Sequence, residues 1–204
     1  MKKLFYFFVL IIVISFISII NIFFKKYSDT THLISFNIIF SLNTIISIIC
    51  LKIINQIYKK TSLESPKDFR TTIKNAFANS FFKSTIVAIV FSFLVYGFLG
   101  NFLKFFQINQ GLINYSVFIS KIWFISSPFL ALELAVLKYF TTLEFYKKPI
   151  IILLIKFILF FFISLLNYNS RRINCFIYAK PICDFIFLIY YSIICFDITL
   201  IQKK

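Results

Sequence analysis

Long, nearly uncharged apolar runs follow one another along most of the chain, and they limit what it can fold into. Crossing a bilayer as a helix takes about 20 consecutive, mostly apolar residues. The segment 4–24 reads LFYFFVLIIVISFISIINIFF, with no charge in it, and similar runs recur to the C-terminus. They bring the hydrophobic share to 60% and the mean hydropathy to +0.92, against about 45–50% apolar residues in ordinary soluble domains. In lipid every backbone N–H and C=O must find a partner within the protein, and single runs of this length do so as helices. The expected fold class is all-α: a polytopic membrane helix bundle whose first partner is the lipid bilayer.

About six transmembrane helices can be drawn, over 4–24, 33–58, 76–105, 112–140, 149–166 and 173–201, as one transmembrane domain across 1–204. The first run continues without small residues at a cleavage position, so it reads as a spanning helix rather than a signal peptide. The longest polar stretch, 59–74, holds Glu64, Pro66, Lys67, Asp68 and Arg70 and reads as a linker. Gly97 and Gly100 are expected to break the third span near its end, before a turn around Asn109, Gln110 and Gly111. Pro128 and Pro181 fall inside spans, where each removes a backbone donor and is expected to kink its helix. Pro149 reads as a first helical residue.

The formal net charge of +15 comes from 22 Lys and Arg against 7 Asp and Glu. In a soluble chain such an excess would suggest nucleic acid. Here the basic residues border the apolar runs, which suits topology determinants at anionic head groups and not a nucleic-acid surface. With the N-terminus inside, the inner side holds Lys2, Lys3, Lys59, Lys60, Lys67, Arg70, Lys74, Lys147, Lys148, Lys203 and Lys204. The outer side holds Lys25, Lys26, Lys104, Arg171 and Arg172. This asymmetry predicts a multi-pass protein of the cell membrane with both termini cytoplasmic. Cysteines at 50, 175, 183 and 195 form no CxxC pair and read as small apolar side chains.

Charge inside a span costs at least about 2.5–3.5 kcal/mol and marks a candidate site. Glu133 lies in the fourth span, Lys156 in the fifth, and Lys180 and Asp184 share one face of the sixth at i,i+4 spacing. These four are the candidate cavity or ion-coupling residues. Lys180 and Asp184 can form a local ion pair or line a polar cavity. Glu133 has no basic residue four positions away, so it needs either a partner on another helix or a proton-coupling role. Lys52, Lys83 and Lys121 lie nearer span ends, where a lysine snorkels its amine to the interface. His32 reads as a solvated residue of a polar turn. Ser126 and Ser127 before Pro128 can satisfy freed carbonyls. No Ser-His-Asp set, HExxH, glycine-rich phosphate loop or carboxylate cluster is present, so neither enzyme activity nor a metal or cofactor is expected.

Three stretches, in order, resemble the C-terminal half of a multidrug and toxic compound extrusion (MATE) transporter. The segment 124–160, FISSPFLALELAVLKYFTTLEFYKKPIIILLIKFILF, is similar to that family's tenth and eleventh helices. Pro128 matches an internal Pro, Phe140 the Phe of the following turn, Lys147 and Lys148 its basic residues, and Lys156 a usual Arg. The segment 173–194, INCFIYAKPICDFIFLIYYSII, resembles the twelfth helix, with Ala179, Pro181, Ile182 and Asp184 in register. The region 34–82 resembles the eighth helix, its linker and the start of the ninth, with Arg70 at a basic position. The family's Asn-x-Gly-Ala turn is absent, and Glu144 stands where the turn after the tenth helix has Gly.

The resemblance implies one six-span lobe of a two-lobed multidrug efflux antiporter, exchanging a small organic cation or amphiphile for H⁺ or Na⁺. Such transport passes between two lobes, so it also implies a partner: a chain carrying the N-terminal half, or a second copy as a homodimer. The alternative is a truncated remnant without transport, or an accessory membrane subunit.

Overall fold

The computed structural model describes residues 30–64, 69–143, 145, 147–171 and 174–200, with side chains described within 30–61, 71–143, 145, 147–166 and 176–193. The span expected over 4–24 lies outside the described residues, as do Lys2, Lys3, Lys25, Lys26, Pro66, Lys67, Asp68, Glu144, Arg172, Lys203 and Lys204. The side chains of Glu64, Arg70, Arg171, Cys175 and Cys195 lie outside them too.

The fold is all-α. The helices are α1 (Thr30–Glu64), α2 (Phe69–Phe105), α3 (Gln110–Trp123), α4 (Ser127–Thr142), α5 (Lys147–Arg171) and α6 (Asn174–Leu200), with a 3₁₀ turn at Phe124–Ser126. Among the described residues, five segments are long and apolar enough to cross a membrane: Thr30–Thr61, Thr71–Phe105, Gln110–Thr142, Lys147–Leu166 and Phe176–Ile193. The chain is a multi-pass membrane protein. Its outward faces carry large apolar side chains such as Phe93, Phe98, Ile158 and Ile189, each more than half exposed, as lipid contact requires.

The polar stretch 59–74 is not a long linker. α1 and α2 run into it from both sides, to Glu64 and from Phe69. Lys, Arg and Glu are good helix formers. α1 has 35 residues, about 52 Å of helix against a hydrocarbon core of about 30 Å, so its charged end continues the helix beyond the lipid. The expected break at Gly97 and Gly100 does not occur either, since α2 passes through both and neither has a positive φ. A broken helix would strand backbone groups in lipid. The turn falls at 106–109 instead, with Gln110 and Gly111 already helical. Gln107 adopts a left-handed φ of 54°. Its N–H donates to the Lys104 carbonyl at 2.9 Å, and the Ile108 N–H to that of Leu103 at 3.4 Å, which is a Schellman ending with Gln where Gly is usual. Asn109 then caps α3, its side chain accepting from the Gly111 N–H at 2.7 Å.

Pro128 does not kink one continuous helix. It is the second residue of α4, where no intrahelical donor is needed. The Phe124 carbonyl, which a residue at 128 with an N–H would have bonded, accepts from the Ser127 N–H. That i→i+3 bond is the 3₁₀ turn. Pro149 is the third residue of α5 rather than its first, still within the turn whose N–H groups have no intrahelical acceptor. α6 continues without interruption through Pro181.

Between membrane helices water gives no driving force, so close packing and hydrogen bonds must hold them. α2 buries Ala76, Ser80, Ser84, Ala88 and Ser92, every fourth residue, and α4 buries Ser127, Ala131 and Ala135. These two helices pack together, and α1 packs on α2. Ser92 and Ser127 share a hydroxyl hydrogen bond of 2.5 Å across the contact. α5 and α6 form a hairpin that docks on the rest chiefly through α6, against α3 and α4.

Candidate functional site

The core divides along the helix axes into two apolar clusters. One gathers Ile119, Trp123, Ala131, Phe160 and Cys183, the other Leu132, Ala135, Ile152, Phe187 and Tyr191. Lys156, Glu133 and Asp184 fall between them on their helices, so the charges meet at the seam. Lys156 and Asp184 lie near the middle of their spans, and Glu133 lies well inside its own, nearer the Thr142 end. Lys156 is about 14 Å along the axis from Lys147, Glu133 about 14 Å from Thr142, and Asp184 about 12 Å from Phe176. Half of a 30 Å hydrocarbon core is about 15 Å.

There the four candidate residues form one chain of alternating sign. The Lys156 ammonium bonds Glu133 Oε2 at 2.5 Å and Asp184 Oδ1 at 2.7 Å. Lys180 bonds the other Asp184 oxygen at 2.6 Å and donates to Ser126 Oγ at 2.8 Å. Ser126 in turn donates to the Trp123 carbonyl at 2.9 Å. The partner that Glu133 lacks on its own helix is thus supplied by α5. Two carboxylates and two ammonium groups balance to zero, which offsets much of the cost of placing each charge at this depth.

Pro181 shapes the same site. It has no N–H, so the carbonyl of Ile177, four residues earlier, loses its helical donor. The Trp123 indole N–H fills that place at 3.1 Å. The indole face lies 5.5 Å from the Lys180 ammonium, within cation–π range. Lys156 stands 5.8 Å from the Phe187 ring.

Beside the chain of charges lies a cavity of about 360 Å³, within the range of about 300–1,000 Å³ usual for ligand pockets. Its walls are apolar, with Leu130, Leu134, Leu153 and Phe157 prominent, and all four charged residues reach it. Asn43 of α1 also lines it, with a buried side-chain oxygen that has no hydrogen-bond partner. Among the described residues, no group of three or more His, Cys, Asp or Glu stands together to hold a metal.

The remaining sequence candidates lie elsewhere. Lys52, Lys83 and Lys121 are exposed on the helix surface. His32 is not in a solvated loop: it lies in the first turn of α1, half-buried, edge-on to Tyr115 at 4.1 Å. The helix begins at Thr30, so His32 falls within it. Ser126, Trp123 and Asn43 join the site without having been singled out as binding residues. For Trp123 a signal existed, since a lone indole N–H in an apolar run needs an acceptor and Pro181 creates one.

No family model matches the chain, and no curated protein or solved structure matches it. Fold and site define its class as a multi-pass membrane protein whose helix bundle encloses a charge-balanced chain beside an apolar cavity.

Proposed function

We infer that this chain is a transporter lobe: a MATE-like, half-length exporter of organic amphiphiles, coupled to H⁺ or Na⁺ and working with a partner lobe. The observation that carries this reading is the four-residue charge chain at mid-membrane, open to a cavity. Ionisable groups at that depth mark substrate or ion pathways. The chemistry fits coupling. A proton or Na⁺ arriving at Glu133 or Asp184 competes with a lysine ammonium for the carboxylate. The lysine it releases changes the charge that the cavity presents to a substrate.

A partner is supported by the outer face of α1. Asn37, Ser41 and Thr44 are exposed there. The two hydroxyls bond back to the Asn37 and Phe40 carbonyls at 2.8 and 2.9 Å, which lets them stay in a membrane helix. Even so, an exposed polar stripe suits protein or water better than lipid. A second lobe facing α1 would enclose it.

The test is efflux of fluorescent amphiphilic dyes of either charge from cells expressing the chain, alone and with a six-span N-terminal lobe. Extrusion that is lost in Lys156→Gln supports the reading. Equal dye retention with and without the chain in both settings would sink it.

A further inference from the structure

The charged groups at the cavity are not equally accessible. The side chains of Lys156 and Lys180 are 20% and 14% exposed, while those of Glu133 and Asp184 are 7% and 5% exposed. The unused hydrogen-bonding sites therefore differ in depth: donors on the lysines are nearer the cavity than acceptors on the carboxylates. Each oxygen of Asp184 accepts from one lysine, and its second lone pair is buried with the side chain. Glu133 bonds Lys156 through one oxygen and lies beside the buried Tyr191. Each ammonium carries three donors and has two oxygen partners: Glu133 and Asp184 for Lys156, Ser126 and Asp184 for Lys180. One N–H on each lysine is left for a third acceptor. The four formal charges sum to zero, so net charge does not select a ligand; access does, because the ammonium groups lie nearer the cavity than the carboxylates.

We propose that the cavity binds an anionic amphiphile, with its acidic headgroup on the ammonium groups of Lys156 and Lys180 and its apolar tail along Leu130, Leu134, Leu153 and Phe157. The proposal rests on the transporter reading for its biological sense and names the substrate class of that same cavity. A headgroup oxygen supplies the acceptor that each lysine lacks, and a charge-assisted bond of this kind is about twice as strong as a neutral one. A cationic headgroup would meet the ammonium groups first, with the carboxylates behind them at 7% and 5% exposure.

The chain contains one tryptophan, and Trp123 lines this cavity next to Lys180. Its emission therefore reports on the site alone. The experiment titrates the purified full-length protein, in nanodiscs of neutral lipid, with octyl phosphate, octyltrimethylammonium and inorganic phosphate. Octyl phosphate is expected to change Trp123 emission saturably. Its midpoint should lie at least tenfold below those of the other two probes, and should rise at least tenfold in Lys180→Gln but not in Lys180→Arg. Leu153→Phe, which narrows the cavity without touching a charge, should also weaken it, and keeps the test open if Lys180→Gln fails to fold. An equal or lower midpoint for octyltrimethylammonium overturns the charge assignment and leaves the cavity reading standing. An equal midpoint for inorganic phosphate overturns the tail. No saturable response to any probe overturns the cavity as a ligand site altogether.

Discussion

The indole N–H of Trp123 donates to the carbonyl of Ile177 at 3.1 Å, in the buried contact between α3 and α6. Ile177 is four residues before Pro181, so its carbonyl has no donor within its own helix. One residue type makes the vacancy and another, over fifty positions away, fills it. The same indole then presents its face to Lys180, which ties helix repair to the placement of a charge.

Replacing Trp123 by Phe should leave that carbonyl unsatisfied and cost about 1–3 kcal/mol. Adding Pro181→Ala should recover much of the loss, because an N–H at 181 can reclaim the Ile177 carbonyl. Reversible unfolding in mixed micelles, followed by circular dichroism, measures both. Equal stability of Trp123→Phe and the parent would contradict the repair role.

The contact between α2 and α4 depends on small side chains. Ala88→Leu should cost about 1–3 kcal/mol by overpacking. Phe98→Leu, on the exposed face of α2, should stay within about 0.5 kcal/mol. The same unfolding assay separates them, and similar losses at both positions would argue against this helix pairing.

How much of this could be read from sequence follows from which interactions are local. The helical class came from run length and the absence of charge. The Lys180–Asp184 pair came from i,i+4 spacing on one helix. Pairing of Glu133 with Lys156 depends on how α4 and α5 are rotated and how deep each sits, which no single helix encodes. Their equal depth within their spans was nonetheless a usable hint. The small-residue ladder from Ala76 to Ser92 is legible in the sequence as a period of four, a signal of spacing and size rather than of polarity. At 59–74 charge alone predicts a loop, yet both α1 and α2 run into the stretch. Helices this long carry their charged ends out of the lipid.

Gln107 holds a left-handed conformation that glycine adopts without strain. Gln107→Gly should therefore stabilise the turn between α2 and α3 by about 1 kcal/mol. A downward shift of the unfolding midpoint would show that the Gln side chain contributes more than its backbone strain costs.

Topology offers a separate check. With both termini inside, a single cysteine at Gln107 in a cysteine-free background should react with a membrane-impermeant maleimide added outside intact cells. One at Phe145 should react only after the membrane is opened. The reverse labelling would invert the orientation inferred from the lysines and arginines.

The central claim is that the mid-membrane charges act as one balanced chain. The most direct measurement is a double-mutant cycle on Glu133 and Lys156, read by reversible unfolding. Lys156→Met alone strands Glu133 and should cost about 3–5 kcal/mol. The double variant Glu133→Leu with Lys156→Met leaves the Asp184–Lys180 pair intact. It should be more stable than Lys156→Met, with a coupling energy of at least about 1.5 kcal/mol. Additive losses within about 0.5 kcal/mol would mean that the two charges do not sense each other, and the balanced chain would be wrong.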